Sequence, residues 1–191
     1  MLYQKESNSN ILGKKVSKGS HSNRGMRLEN LINLANSYYI ENDIALIHKK
    51  ATPIGVVDVI YNDKKKVINK AYFEGKSTLD YNGIYKGKYI DFDAKECNNG
   101  SSFPISNVSK HQIDHMRRVL FHKGVCFLII SIDGCNYLLD GIDFINFVDT
   151  KNRKSIPLNY IKEVGILIKE SYRPELDYIK AIDEKYFKEV L

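Results

Sequence analysis

The chain has 191 residues, a length that supports one domain with a substantial core, whereas two domains would each be small. Its formal net charge of +6 suits a polyanionic partner, because Lys and Arg that neutralise phosphates provide most of the sequence-independent affinity for nucleic acid. No apolar stretch approaches the roughly 18 residues of a membrane span and no signal peptide is evident, so we expect a soluble, cytoplasmic protein.

Residues 1–23 are rich in Ser, Asn, Gly and Lys and offer few apolar side chains to bury. This composition predicts a flexible basic N-terminal arm, followed by a single domain over residues 24–191. Apolar side chains at helical spacing then predict an amphipathic helix over residues 26–39, with Glu29 beside the apolar stripe.

Three β-rich segments follow, at residues 43–48, 56–61 and 67–73. The polar run 62–66 between the last two predicts the tip of a projecting hairpin over about residues 56–73. Lys64, Lys65 and Lys66 make this tip basic, although a simple solvated turn is an equally good interpretation of the run itself.

The middle of the chain alternates turns with further elements. A turn at residues 80–83 precedes a strand over 84–96 that doubles around Lys86-Gly87-Lys88. Ser106 or Ser109 can cap a helix that runs to about residue 122. The helix carries Gln112 near its start.

The last third begins with a near-continuous apolar run at residues 125–131, typical of a strand covered on both faces. Asp133-Gly134 predicts a hairpin into residues 137–140, and helices are expected over residues 158–168 and after Pro174. Together these elements predict a mixed α/β fold in which helices flank one central sheet.

Three cysteines, Cys97, Cys126 and Cys135, form an odd set without CxxC spacing, so we expect reduced thiols. Gly83 and Gly87 lack the spacing of a phosphate-binding loop, so no nucleotide cofactor is expected.

Residues 89–96, YIDFDAKE, pose the main functional question. In an extended strand, alternate side chains point to opposite faces, so three apolar residues share one face and three charged residues share the other: Ile90, Phe92 and Ala94 against Asp91, Asp93 and Lys95. A solvated edge strand would also show this pattern.

Asp80 precedes Asp93 by thirteen residues, and two turns between them let the chain double back and bring both carboxylates together. Two close acids repel each other unless a cation lies between them. Mg²⁺ is commonly held by one or two carboxylates together with water and substrate phosphate. With Lys95 on the same face, this set suits phosphodiester hydrolysis.

The spacing Asp-x(n)-Asp/Glu-x-Lys is the signature of the PD-(D/E)xK nuclease superfamily, and longer words support a closer resemblance. From about residue 23 to 178 the chain resembles RecU-type Holliday junction resolvases, through these segments among others: Asn23-Arg-Gly-Met26, Ala45-Leu-Ile-His-Lys-Lys50, Thr78-Leu-Asp-Tyr-Asn-Gly-Ile-Tyr-Lys-Gly87, Tyr89 to Glu96, His111-Gln-Ile-Asp-His-Met116 and Arg153-Lys-Ser-Ile156. The resemblance implies a restriction-endonuclease-like core with a β-hairpin stalk.

The resemblance also implies roles for individual residues. Asp80, Asp93 and Lys95 match the catalytic positions, Gln112 matches a helix glutamine of the active site, and Glu29 matches an acidic residue of the first helix. Metal ligands are predicted to be Asp80, Asp93 and Thr78, with Mg²⁺ as the ion and Mn²⁺ as an alternative. DNA contacts are predicted from charge, at Lys64, Lys65, Lys66, Arg24, Lys86 and Lys88.

Two departures from the family pattern bear on these roles. The family commonly has Glu where this chain has Asp93, which is shorter by one methylene. The functional arginine of the family's stalk has no clear counterpart here, and lysines do not offer its planar, bidentate fork to phosphate.

By this resemblance the chain is expected to be a homodimer that resolves four-way DNA junctions by paired nicks, because two-fold symmetry supplies one site per strand. A RecA-type recombinase is a further partner that the family implies. Two alternatives stay open: a non-catalytic junction-binding protein that modulates a recombinase, and an ordinary duplex nuclease with the same catalytic core.

Other residues near these motifs favour structural roles. His111 and His115 lie four apart on a predicted helix, but two ligands are too few for a zinc site. Asp91 is expected to be ion-paired or solvated rather than catalytic. Tyr81 and Tyr85 are expected to pack beside the sheet rather than stack on bases.

Overall fold

The computed structural model describes residues 21–62, 65–75, 78–97 and 99–188, with the backbone alone for residues 21–26 and 62. Five α-helices lie in this part of the chain: α1 His21–Glu41, α2 Lys110–Phe121, α3 Gly141–Thr150, α4 Leu158–Val164 and α5 Tyr178–Tyr186. The ten strands are β1 Leu46–Lys49, β2 Ile54–Asn62, β3 Lys65–Phe73, β4 Tyr81–Tyr85, β5 Lys88–Cys97, β6 Ser102–Pro104, β7 Val125–Ile132, β8 Cys135–Asp140, β9 Ser155–Pro157 and β10 Ile166–Ile168.

Six of the strands form one mixed sheet in the order β1-β4-β5-β7-β8-β10. The central pair, β5 and β7, is parallel, and the other neighbours are antiparallel. A parallel pair needs a crossover connection, which α2 supplies between β5 and β7. The predicted mixed α/β fold with helices flanking one sheet is confirmed.

Each face of the sheet is covered by its own set of helices. α1 and α5 pack on one face, where buried side chains such as Ile32, Ile182 and Phe92 meet. α2, α3 and α4 contribute to the cluster on the other face. β7 feeds both clusters from alternate positions, which confirms the prediction of a strand covered on both sides.

A row of stacked aromatic rings ties three neighbouring strands together on the α1 face. The Phe92 ring lies 4.9 Å from the Tyr81 ring and 4.7 Å from the Phe127 ring, both at an interplanar angle of 9°. Such pairs each contribute about 0.5–1.5 kcal/mol beyond their buried area. The row therefore fixes β4 and β7 against β5, the strand that carries the charged residues.

The hairpin of β2 and β3 forms a separate two-stranded sheet, as the sequence predicts. All nine residues of β3 are exposed, including the apolar side chains of Val67 and Ile68. The predicted hairpin is confirmed, and each strand extends slightly beyond its predicted limits. Residues 63 and 64, at the predicted tip, lie outside the described residues.

Several predicted elements differ in extent. α1 begins at His21, inside the segment predicted as an arm, while residues 1–20 lie outside the described residues. β1 begins only at Leu46, since Asp43 adopts a left-handed conformation with a φ of 53° in the preceding turn. The helix predicted over residues 158–168 ends at Val164.

The last residues of that predicted helix form β10, which pairs with β8 at the edge of the sheet. A short apolar run in a sequence does not distinguish a helix from a strand. Here the pairing with β8 makes residues 166–168 a strand. α3 was not predicted at all. The C-terminal helix begins at Tyr178, later than the predicted start after Pro174, although Leu176 is buried.

No helix in the described part of the chain is long and apolar enough to cross a membrane. Cys97, Cys126 and Cys135 are all free thiols, as expected. Ser109, one of two predicted caps, is the N-cap residue of α2, which begins at Lys110.

The close approach of β1 to β4 requires a glycine at position 83. A Cβ atom there would lie 2.0 Å from the Leu46 carbonyl oxygen and 2.6 Å from the Ile47 Cα. We expect Gly83→Ala to destabilise the protein by about 2 kcal/mol or more, because backbone atoms of β1 must shift. Gly75→Ala, whose Cβ would meet no atom within 4 Å, should change stability by less than about 0.5 kcal/mol. Urea unfolding measures both, and equal effects would contradict the prediction.

Candidate active site

The acids Asp91 and Asp93 of β5 face α2, whereas Ile90 and Phe92 face α1 and α5. Ile90 and Phe92 belong to the cluster with α1 and α5, while Asp93 contacts Gln112 of α2. The alternation predicted from the sequence is confirmed. Burial is more complete than on a solvated edge strand, because Asp91 and Asp93 are both 0% exposed.

Only one of the two carboxylate oxygens of Asp93 has a hydrogen-bond or ion-pair partner among the described residues. Its Oδ2 accepts a hydrogen bond from Gln112 Nε2 at 2.6 Å and lies 3.0 Å from Lys95 Nζ. Its Oδ1 is buried without a hydrogen-bond partner among the described residues. A buried carboxylate oxygen without a donor is costly, so a cation at this oxygen would remove a real penalty.

Asp80 lies beside Asp93, as predicted, but one turn brings them together and not two: the turn predicted at residues 80–83 is wrong, because residues 81–85 form β4 and the chain reverses only at Lys86-Gly87. β4 and β5 pair antiparallel with Tyr81 opposite Phe92, which brings the preceding Asp80 next to the position of Asp93. The pKa of Asp93 is raised to about 6, first by burial and also by the charge of Asp80, whereas Lys95 lowers it. The two carboxylates therefore share one electrostatic environment.

This arrangement fits a hard divalent cation. The described residues contain no group of three or more His, Cys, Asp or Glu that could hold a metal ion. Two neighbouring carboxylates, one of them with an unpartnered oxygen, instead match the Mg²⁺ preference for few protein ligands completed by water and phosphate.

Glu29 and Thr78 border the same region. The pKa of the buried Tyr81 phenol is raised by burial and then by the charges of Glu29, Asp80 and Asp93, so all three acids act on the same side chain. Glu29 also pairs with Lys49, at 2.8 Å. The Thr78 carbonyl oxygen accepts a hydrogen bond of 3.2 Å from Gln112 Nε2, and its hydroxyl oxygen accepts one from a lysine described below.

Gln112 links the start of α2 to this region. Its Oε1 accepts the backbone N–H of Ser109, closing the helix N-terminus, while its Nε2 donates to Asp93 and to Thr78. One side-chain amide therefore holds both the helix and the carboxylate in place.

Asp91 is fully buried and ion-paired, so the expectation of an ion pair is confirmed and that of solvation is wrong. It lies 2.8 Å from Lys50 Nζ and 2.8 Å from His115 Nε2, and it accepts a hydrogen bond from the Tyr89 hydroxyl. The contact of His115 with Asp91 gives that histidine a structural role.

Lys50 was not singled out from the sequence, although it contacts Asp91 and Thr78. Two sequence signals were present: a pair of lysines at the end of a predicted strand, which usually indicates a solvated end, and the place of Lys50 in one of the segments that carry the family resemblance. Tyr81 and Tyr85 are buried and pack beside the sheet, as predicted.

The residues predicted to bind DNA are dispersed. Lys65 and Lys66 are exposed on β3, Lys64 lies outside the described residues, and the side chain of Arg24 is not described. Lys86 and Lys88 are exposed at the β4–β5 turn, where Lys86 pairs with Asp183 at 2.6 Å.

Comparison with known proteins agrees with this arrangement. The model of the family described as recombination protein U, RecU, matches residues 23–184. The chain belongs to the RecU family. A protein of Bacillus cytotoxicus named Holliday junction resolvase RecU is 47% identical over 179 residues, covering 91% of this chain and 90% of that protein. The RecU of Bacillus mycoides is also 47% identical, over 178 residues, or 90% of this chain and 89% of that protein.

Among solved structures, Archaeoglobus fulgidus Hjc, a Holliday junction resolvase from an archaeal hyperthermophile, matches with a TM-score of 0.42 and 8% identity. The match covers 76% of this chain and 97% of that one. This TM-score is too low to establish a shared fold.

The raised pKa of Asp93 predicts a pH-dependent stability. Between its unfolded value of 3.8 and about 6, the folded metal-free protein binds the proton more tightly, so this group opposes folding increasingly as pH rises. In EDTA we expect Asp93→Asn to stabilise the protein at pH 8 by up to about 3 kcal/mol, and by much less at pH 4.

Asp149→Asn is the matched control. Its exposed carboxylate is paired with Arg117, which lowers the pKa of Asp149. That pair stabilises the fold above the unfolded pKa, so its removal should destabilise the protein at pH 8 and have no effect at low pH. Thermal melts at the two pH values measure both variants, and a pH-independent effect of Asp93→Asn would contradict the assignment.

Proposed function

We propose that this protein is a metal-dependent, structure-selective endonuclease that resolves four-way DNA junctions by paired nicks. The observation that carries the proposal is the buried Asp93, with one unpartnered oxygen, beside Asp80 and Lys95 in a chain of the RecU family. Relatives at 47% identity are named Holliday junction resolvases and match over about nine-tenths of the chain.

In this proposal Asp80 and Asp93 hold the divalent cation, with Thr78 adjacent, and Mg²⁺ or Mn²⁺ is the ion. The bound ion would activate water and neutralise charge on the scissile phosphate. Gln112 orients the Asp93 carboxylate through a hydrogen bond to Oδ2, which leaves Oδ1 for the cation.

Lys95 is proposed to stabilise the negative charge that accumulates on the phosphate oxygens as the P–O bond breaks. Its ammonium group is held beside Asp93 at 3.0 Å and its side chain is 20% exposed, so it is both oriented and accessible. Glu29 is proposed to approach the cation from α1, where its pairing with Lys49 restrains it.

Symmetric nicks across a branch point require two sites related by a two-fold axis, so we propose a homodimer. Exposed apolar side chains on the β2–β3 hairpin, including Val57, Tyr61 and Phe73, support a role for the hairpin in contacts with a partner or with DNA. Because its proposed substrate is DNA, we assign the protein to the cytoplasm.

Loss of the catalytic groups should separate cutting from binding. We expect Asp80→Asn and Lys95→Ala to lower the cleavage rate of a synthetic mobile junction by about a hundredfold or more, with junction affinity in EDTA changed less than about twofold. Lys185→Met, which removes a Lys–Asp pair between α5 and α3, serves as the control and should cleave normally.

A matched linear duplex distinguishes the alternatives. Preference for the junction supports the proposal, and equal cutting of both substrates indicates an ordinary duplex nuclease. Tight junction binding by the wild type without cutting in Mg²⁺ or Mn²⁺ indicates the non-catalytic modulator of a recombinase.

The exposed lysines of the hairpin should contribute to affinity through phosphate. We expect Lys65→Gln/Lys66→Gln to weaken junction binding and to reduce the slope of log K against log salt by about 2, one per lost contact. Lys162→Gln/Lys169→Gln removes the same charge from exposed positions near β10 and should leave the slope unchanged. Equal slopes for the two double variants would remove the hairpin from the DNA interface.

A further inference from the structure

Lys50 joins three separate segments around the candidate active site. It directly follows β1, and its backbone N–H donates to the Asp80 carbonyl oxygen at 2.7 Å. Its Nζ lies 2.8 and 3.0 Å from the two carboxylate oxygens of Asp91 and 3.1 Å from the Thr78 hydroxyl oxygen. Lys50 therefore connects β5 to residues 78–80 at two points, the Thr78 side chain and the Asp80 backbone.

The anchor of this connection is Asp91, a buried carboxylate whose contacts come from three side chains. Both of its oxygens contact Lys50, and one also accepts from the Tyr89 hydroxyl and contacts His115 Nε2. A carboxylate that is 0% exposed and contacted from three side chains is fixed in orientation. It can therefore hold the Lys50 ammonium in one place.

The ammonium of Lys50 is fully used by these contacts. A lysine has three N–H donors, and three acceptor oxygens lie within hydrogen-bond distance of Nζ: both oxygens of Asp91 and the hydroxyl of Thr78. No donor is left for a phosphate oxygen, in contrast to the single carboxylate contact of Lys95. The geometry therefore favours a positioning role for Lys50 over direct contact with substrate.

The segment that Lys50 holds carries Asp80 and lies just before β4. Its second side-chain tether is Gln112, whose Nε2 donates to the Thr78 carbonyl oxygen and to Asp93. Lys50 thus connects Asp91 of β5 to Thr78. Gln112 likewise connects Asp93 of β5 to Thr78. Asp80 and Asp93 repel each other in the absence of a cation. Without the hydrogen bonds from Lys50 and Gln112, the segment that carries Asp80 would therefore move away from β5.

We propose that the buried Asp91–Lys50 ion pair positions residues 78–80 so that Asp80 faces Asp93, and thereby sets the affinity of this pair of carboxylates for a divalent cation. The inference rests on the proposed function, since it assumes that these carboxylates bind the metal. Groups that orient metal ligands typically change metal affinity 10- to 100-fold when removed.

The test measures Mn²⁺ binding to the DNA-free homogeneous protein by electron paramagnetic resonance of the free ion. We expect Lys50→Met to raise the Mn²⁺ Kd about 10- to 100-fold. Thr78→Val keeps the ion pair and the residue 78 carbonyl but removes the hydroxyl acceptor, and should raise the Kd about fivefold. Lys185→Met again removes a partly buried Lys–Asp pair elsewhere and should leave the Kd unchanged.

Lys50→Met leaves Asp91 without its main cation, so melting curves are recorded for each variant, and Thr78→Val carries the test if Lys50→Met does not fold. Asp80→Asn separates the two levels of the argument. If Asp80→Asn binds Mn²⁺ as tightly as the wild type, the metal site of the proposed function is wrong. If Asp80→Asn loses binding while Thr78→Val and folded Lys50→Met bind normally, only the positioning role is overturned.

Junction cleavage at saturating Mn²⁺ then distinguishes positioning from direct participation. A positioning role predicts that the folded Lys50→Met protein recovers to within about tenfold of the wild-type rate, because the bound ion itself holds Asp80 in place. A rate that stays more than a hundredfold low at saturating Mn²⁺ would show that Lys50 acts in the reaction, and would overturn the proposal.

Discussion

Two carboxylates buried two residues apart on β5 impose the main constraint on this structure. A carboxylate removed from water must be ion-paired and hydrogen-bonded, or it opposes folding. Asp91 is fully compensated by Lys50, His115 and Tyr89. Asp93 is compensated on one oxygen, and no residue in the described part of the chain donates to the other. The difference between these two neighbours separates a structural acid from a candidate metal ligand.

The surrounding elements are arranged to satisfy this constraint. The antiparallel pairing of β4 with β5 brings Asp80 beside Asp93, and the aromatic row through Phe92 keeps those strands in register from the opposite face. The crossover helix α2 delivers Gln112 and His115, one to each acid. The parallel β5–β7 pair makes this crossover necessary, so the topology of the sheet and the supply of partners to the acids are linked.

Two lysines near the acids differ in how many of their donors are used. Lys95 has a single carboxylate contact at 3.0 Å, which leaves donors for a substrate, whereas the two side chains are exposed to a similar extent, 20% for Lys95 and 18% for Lys50. Lys50 has three acceptors around its ammonium and a backbone bond to the segment that carries Asp80. Residue type alone would suggest the same role for both, whereas the number of occupied donors supports the different roles that we propose for them.

The sequence by itself determined the elements whose pattern is local. Alternation along residues 89–96, the apolar run of β7 and the polar tip between two β-rich segments each predicted a strand or hairpin that the structure contains. The resemblance to RecU proteins predicted which acids are candidate catalytic residues. Only the tertiary structure decided that residues 166–168 are a strand, that Asp91 is sealed from solvent and that Lys50 reaches both Asp91 and Thr78. Each of these outcomes depends on residues distant in the chain, 28 positions for Lys50 and Thr78 and 41 for Lys50 and Asp91, and a local pattern holds no information about such partners.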